Sequence, residues 1–174
     1  MTPFRRWSID ELLALPGVED RVIAKVEAKG HTYKDRGKKR TYDERCADAA
    51  LGEFGEVVSE LYFPQLVQHE NKWQDHTVGS PITLPVRHLI SSVSMIGNIE
   101  TKAVRDKKDS AINAAVRRHA DGAGRSRLAD WFLFHYAYCK DGEPQWIEPW
   151  SVGTVRGGFM TYVLDLDRLQ AQVT

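Results

Sequence analysis

The string Ile99-Glu100-Thr101-Lys102-Ala103 carries the densest chemistry in the sequence. In a strand, alternate side chains share a face, so Glu100 and Lys102 project together about 6.6 Å apart while Ile99, Thr101 and Ala103 go to the other side. A carboxylate and an ammonium held side by side on a rigid strand can bind a divalent cation and also orient or deprotonate a water. Phosphodiester hydrolysis requires both functions. The same two residues also fit an ordinary solvent-facing charge pair, so the surrounding sequence has to decide.

Such a site needs a second acidic ligand from upstream. No Asp or Glu occurs between His76 and Ile99, which makes Asp75, in Trp73-Gln74-Asp75-His76-Thr77-Val78-Gly79, the nearest candidate. Further upstream lies Gly52-Glu53-Phe54-Gly55-Glu56, inside a helical pattern. Each glycine weakens a helix by about 1 kcal/mol relative to alanine, and close approach of another backbone is a physical reason to tolerate that. A helical wheel puts Glu53 near the edge of the apolar stripe and points Glu56 largely away from it, so either glutamate remains a candidate. His76 and His88 flank the proline-bearing loop between Asp75 and Glu100, and either could touch a phosphate or serve as a base. His135, inside an apolar run, reads as a satisfied core residue, and Trp131, Trp146 and Trp150 read as core.

The elements that must position these residues are legible from pattern. Ser8-Ile9-Asp10-Glu11 is a capping box that opens a short helix stopped at Pro16-Gly17, and a second helix is expected over Val18 to Ala28. Gly30 to Arg40 has no periodicity and reads as a basic loop. Ala47, Ala50, Leu51, Phe54, Val58 and Leu61 recur at helical spacing and predict a long helix from about Tyr42 to Leu61, closed by Pro64. Gln65 to Pro85 reads as irregular. One or two strands are expected over His88 to Val104, a helix over Asp109 to His119, and a central strand over Ala129 to Cys139. Asp141-Gly142 should turn that strand back into Gln145 to Trp150. A strand near Phe159 to Leu164 and a short helix from about Asp165 complete the reading. The class is therefore α/β, a small mixed sheet flanked by helices, in one domain over 1–174, with 1–41 a helical and basic extension packed on it.

The 174 residues balance at 24 Lys+Arg and 24 Asp+Glu, but the charges are segregated. Arg21 to Arg45 holds nine basic and four acidic residues, and Lys102 to Arg127 holds eight and three, so each is +5 and the remainder is −10. A polyanion feels such local fields rather than the average. Lys34, Arg36, Lys38, Lys39 and Arg40 precede the glutamate helix; Arg105, Lys107, Lys108, Arg117 and Arg118 follow the Glu-x-Lys strand. Together they could form a phosphate-contacting rim. Two cysteines, Cys46 and Cys139, make no disulfide framework, and no apolar run reaches the about 18 residues of a membrane span. A cytoplasmic protein without a membrane partner is expected.

A glutamate-bearing helix, an upstream acid at Asp75, the strand Ile96 to Lys102, a basic helix and the strand Asp130-Trp131-Phe132-Leu133-Phe134 occur in an order that resembles the PD-(D/E)xK, or restriction-endonuclease-like, nucleases. The likeness covers about half the chain, from roughly Leu51 to Cys139. It implies an αβββαβ core and a Mg²⁺-dependent phosphodiesterase, with Mn²⁺ as a substitute. Asp75 and Glu100 would hold the metal, Lys102 would position the attacking water, and Glu56 or Glu53 would assist. Gly52-x-x-x-Glu56 matches a spacing found in some members. No proline precedes Asp75, and the gap of 25 residues to Glu100, with Pro81 and Pro85 in it, implies an inserted loop. The expectation is a DNA endonuclease of restriction or phage type that uses cation-activated water on double-stranded DNA as a homodimer. The alternatives are a catalytically silent DNA-binding module of the same fold, or a protein-binding accessory factor.

Overall fold

The computed structural model describes residues 5–29, 41–68, 75–85, 92–108, 112–114, 117, 129–156 and 159–165. The chain opens with strand β1 (Trp7–Ser8), which runs into helix α1 (Ile9–Leu13). The capping box forms as the sequence requires: Ser8 Oγ accepts from the Glu11 amide at 3.1 Å, and Glu11 accepts from the Ser8 amide at 3.2 Å. Gly17, at φ 77°, provides the left-handed turn into helix α2 (Val18–Lys29). Helix α3 (Tyr42–Tyr62) begins with a second capping box, Thr41 with Glu44, which pattern reading alone did not register.

Strands β2 (Leu66–Gln68), β3 (His76–Val78) and β4 (Ile82–Pro85) occupy the segment that reads as irregular. Three or four residues are too few to display a period of two, so their pairing comes from the sheet and not from local pattern. Strands β5 (Ser92–Met95), β6 (Asn98–Val104), β7 (Trp131–Lys140), β8 (Glu143–Arg156) and β9 (Phe159–Asp165) follow. The expected strands near His88–Val104, Ala129–Cys139, Gln145–Trp150 and Phe159–Leu164 are therefore present. Asp141 and Gly142, both at positive φ, form the tight turn between β7 and β8. Residues 112–114 and 117 are helical, in line with the helix expected there. The basic loop 30–40, His88, His119 and the helix expected after Asp165 lie outside the described residues.

One seven-stranded mixed sheet runs in the order β1-β8-β7-β6-β3-β2, with β9 also paired to β8; β4 and β5 form a separate hairpin. Among the described strands only β6 and β7 are parallel. Their register pairs Ile99 with Trp131, Thr101 with Leu133 and Ala103 with His135, and this face packs under α3. The offset face pairs Glu100 with Phe132 and Lys102 with Phe134 and carries a second apolar cluster of Ile112, Ala129, Phe132 and Phe134. Gly55 is the point of closest approach between layers. A Cβ there would lie 3.4 Å from both Ala103 Cβ and Thr101 Cγ2, whereas one on Gly52 would meet nothing. Only one of the two helix glycines is thus explained by packing. Tyr62 ties the far end of α3 to β1, donating to the Arg5 carbonyl at 2.6 Å and accepting from Trp7 Nε1 at 3.0 Å. No described helix is long and apolar enough to cross a membrane.

Candidate active site

Among the described residues, β3 and β6 pair only through His76–Ile99 and Thr77–Asn98. One step beyond the last pair, Asp75 lies across from Glu100. Its Oδ2 accepts the Thr101 amide at 2.8 Å. The side chain of Asp75 thus sits at a fork in the sheet. Glu100 and Lys102 share the face of β6 that the alternation requires, with Lys102 Nζ 2.5 Å from Glu100 Oε1. Glu100 is buried and Lys102 is partly exposed, so the pair is not a solvated surface contact.

The two α3 glutamates, which the sequence leaves open, are both buried, Glu53 at 4% and Glu56 at 8% exposure. The expectation that Glu56 points away holds only relative to the apolar stripe. Helix α2 covers that flank, so Glu56 does not reach solvent. Lys25 Nζ lies 3.0 Å from Glu56 Oε1 and 3.3 Å from Glu53 Oε2. Arg21 donates to Glu53 through Nε and lies 2.6 Å from Glu60 and 3.8 Å from Glu56. Burial, then the negative charge of Asp75, and also that of Glu53, push the Glu56 carboxyl up to about 8 against the opposing pull of Lys25. Burial alone would pull the Lys25 ammonium down, but Glu56 and Glu53, with Asp75 adding to them, outweigh it and leave it raised. Glu56 thus feels the charge of Asp75.

Lys25, Arg21 and Glu60 were not among the sequence-derived candidates. A signal was available: Arg21 and Lys25 stand four apart on one helix, and Glu53, Glu56 and Glu60 stand three and four apart on another. These are the spacings of facing charge ladders, but nothing local says that the two helices meet.

A polar layer lies behind the fork. Ser59 Oγ donates to the Gly55 carbonyl at 3.0 Å and lies 2.7 Å from His135 Nε2 and 3.3 Å from Thr101 Oγ1. Since the single Ser59 proton goes to Gly55, His135 Nε2 carries the hydrogen in that contact. His135 is thus only half satisfied as a core residue, because its Nδ1 has no hydrogen-bond partner among the described residues. Burial, then the neighbouring His76, push its pKa down to about 3. Trp131 is buried as expected, while Trp146 and Trp150 are only half-buried on the opposite face.

The expected basic rim is partly in view. Arg105 pairs with Asp48 of α3 at 2.8 Å, Lys107 with Glu148 at 3.2 Å and Lys108 with Asp106 at 3.6 Å, and Arg117 is exposed. Of these, only Lys108–Asp106 is a fully exposed pair, of the kind that contributes about 0–1 kcal/mol; Asp48 and Glu148 are largely shielded from solvent. Lys34, Arg36, Lys38, Lys39, Arg40 and Arg118 lie outside the described residues.

No three His, Cys, Asp or Glu side chains among the described residues form a ready-made metal cage. A small hard cation does not need one, since Mg²⁺ is commonly held by one or two carboxylates with water and phosphate oxygens completing the shell. Asp75 and Glu100 are the two carboxylates that stand across from each other where the described β3–β6 pairing ends. Arg21 and Lys25 face Glu53, Glu56 and Glu60 of α3, and Lys102 faces Glu100. Compared with known protein families, curated proteins and solved structures, the chain matches none.

Proposed function

We propose that this chain is a divalent-metal-dependent DNA endonuclease on a restriction-endonuclease-like αβββαβ core. In that reading α3, β2, β3, β6, the helical residues 112–114 and 117, and β7 are the core, and the β4–β5 hairpin is the insertion between Asp75 and Glu100. The observation that carries the reading is the fork between β3 and β6, where Asp75 stands across from a buried Glu100 joined to Lys102. Asp75 and Glu100 would hold Mg²⁺, or Mn²⁺ in its place, and Glu56 would assist. Bound there, the cation supplies neutralisation of the phosphate charge and acidification of water. Lys102 Nζ donates to the attacking water and orients it, Glu100 holds Lys102 in place, and the Thr101 amide holds Asp75. Arg105, Lys107, Lys108 and Arg117 would exchange their present partners for backbone phosphates of double-stranded DNA. Two copies related by a two-fold axis would cut both strands.

The test is incubation of supercoiled plasmid with Mg²⁺ or Mn²⁺ over a range of salt, comparing wild type with Glu100→Ala, Lys102→Ala and Asp75→Asn. Wild type should nick or linearise the plasmid, and each variant should lose about 100-fold or more while retaining its circular dichroism spectrum. Equal cleavage by all four proteins would refute the site. Binding of plasmid without any cleavage by wild type would favour the catalytically silent DNA-binding module.

A further inference from the structure

On β7, every second residue from Phe132 faces the same side of the sheet as Glu100 and Lys102: Phe132, Phe134, Tyr136 and Tyr138. The two phenylalanines are buried in the cluster with Ile112 and Ala129. Beyond that cover the residues become tyrosines, and Tyr136 is half-buried while Tyr138 is 42% exposed. Trp146 of β8 lies beside both. It is nearly parallel to the Tyr138 ring, 16° apart with centroids at 5.4 Å, and edge-on to Tyr136 at 5.5 Å. Cations flank the rings: the Arg6 guanidinium stands 3.5 Å over Trp146, and Lys107 Nζ is 5.3 Å from the centre of Tyr136. Glu148, cross-strand from Tyr136, lies 3.6 Å from Arg6 and 3.2 Å from Lys107 and holds both against the rings. The strand order β1-β8-β7 thus sets guanidinium, indole and phenol in a row, with the exposed phenol at its end. A cross-strand aromatic pair strengthens a sheet wherever it occurs, but that role requires neither an exposed ring nor a cation on each side.

We propose that Tyr138, Tyr136 and Trp146 form a stacking platform for the bases of an unpaired nucleic-acid strand, with Arg6 and Lys107 meeting its phosphates. An unpaired strand offers a π-face and a phosphate at each step, which is the combination this surface complements, whereas the bases of a duplex are already stacked on one another. A proline-rich peptide would use the rings but not the cations. The platform lies apart from Asp75 and Glu100, takes its ligand without a metal, and goes beyond the nuclease reading.

The test is fluorescence anisotropy of a labelled oligothymidylate with the full chain in EDTA, so that neither metal nor cleavage enters. Wild type should bind the single strand more tightly than a hairpin duplex of the same length, and affinity should fall as salt rises. Tyr138→Ala should lose about tenfold in affinity, whereas Tyr138→Phe, which keeps the ring, should stay within about twofold of wild type. Lys107→Gln should flatten the plot of log affinity against log salt by about 0.7, the loss of one phosphate contact. Tyr138 is exposed, so its truncation leaves the core in place, and circular dichroism checks this. Failure of wild type to bind the oligomer, equal affinity for Tyr138→Ala, or binding of a proline-rich peptide in place of the oligomer overturns the proposal. Should wild type then still cut plasmid with Mg²⁺, only the platform falls and the nuclease reading stands. Oligomer binding that depends on Tyr138, with no plasmid cut, supports the platform and counts against the nuclease.

Discussion

Glu56→Gln tests the electrostatics of the site without DNA. The glutamate is buried against Lys25, Glu53 and the charge of Asp75, and its carboxyl is pushed from 4.5 up to about 8. Because the folded pKa lies above the unfolded one, the native state binds the extra proton. Its stabilising effect is complete below about pH 4.5 and is lost as pH rises through about 8. At about 1.4 kcal/mol per pH unit the whole difference amounts to roughly 4–5 kcal/mol. Relaxation and water entry reduce this, and a few kcal/mol is the magnitude to expect. Glutamine keeps the volume and an acceptor for Lys25 but cannot ionise. The variant and wild type should therefore have similar stability at pH 5 and diverge steadily above it. By pH 8.5 the variant should be more stable by about 2–3 kcal/mol, or roughly 5–10 °C in midpoint for a chain of this length. Urea or thermal denaturation at half-unit pH intervals measures the divergence directly. Parallel curves from pH 5 to 8.5, or a variant less stable at pH 8.5, would refute the argument that Glu56 is held against its own charge.

His135 gives the opposite pH sign. Its pKa falls from 6.5 to about 3 in the fold, so its contribution is complete above about pH 6.5 and is lost as pH drops, at up to about 1.4 kcal/mol per unit. His135→Met should cost about 1–2 kcal/mol at pH 7 through the lost Ser59 contact, and urea midpoints should show that deficit shrinking by pH 4.5. The two α3 glycines should also part company. Gly52→Ala meets open space and should stabilise by about 0.5–1 kcal/mol, whereas Gly55→Val forces branched carbons into Ala103 and Thr101 and should cost about 2 kcal/mol or more, both read from chemical denaturation.

Local chemistry made several features legible before any tertiary contact was known. The Ser8 box, the helix over Tyr42–Tyr62 and the Asp141-Gly142 turn depend on neighbours a few residues away, so their causes lie within the sequence window in which they act. The common face of Glu100 and Lys102 follows from the two-residue period of a strand alone. The close approach expected at a helix glycine was real, but only at Gly55; the register of α3 over β6 decided which glycine it was.

What the sequence could not determine lies across long separations. Asp75 gains its position from a fork between β6 and β3, the latter a three-residue strand too short to announce itself, and from the Thr101 amide 26 residues away. The choice between Glu53 and Glu56 could not be made on α3 by itself, because a helical wheel ranks positions by their distance from an apolar stripe. Here helix α2 covers the polar flank instead, burying both glutamates under Arg21 and Lys25. The sequence by itself thus determined which residues have the right chemistry and which of them share a face. Tertiary structure decided which are buried, which charges confront one another and which cation already occupies the carboxylates, because desolvation and Coulomb energy depend on distance in space and not along the chain.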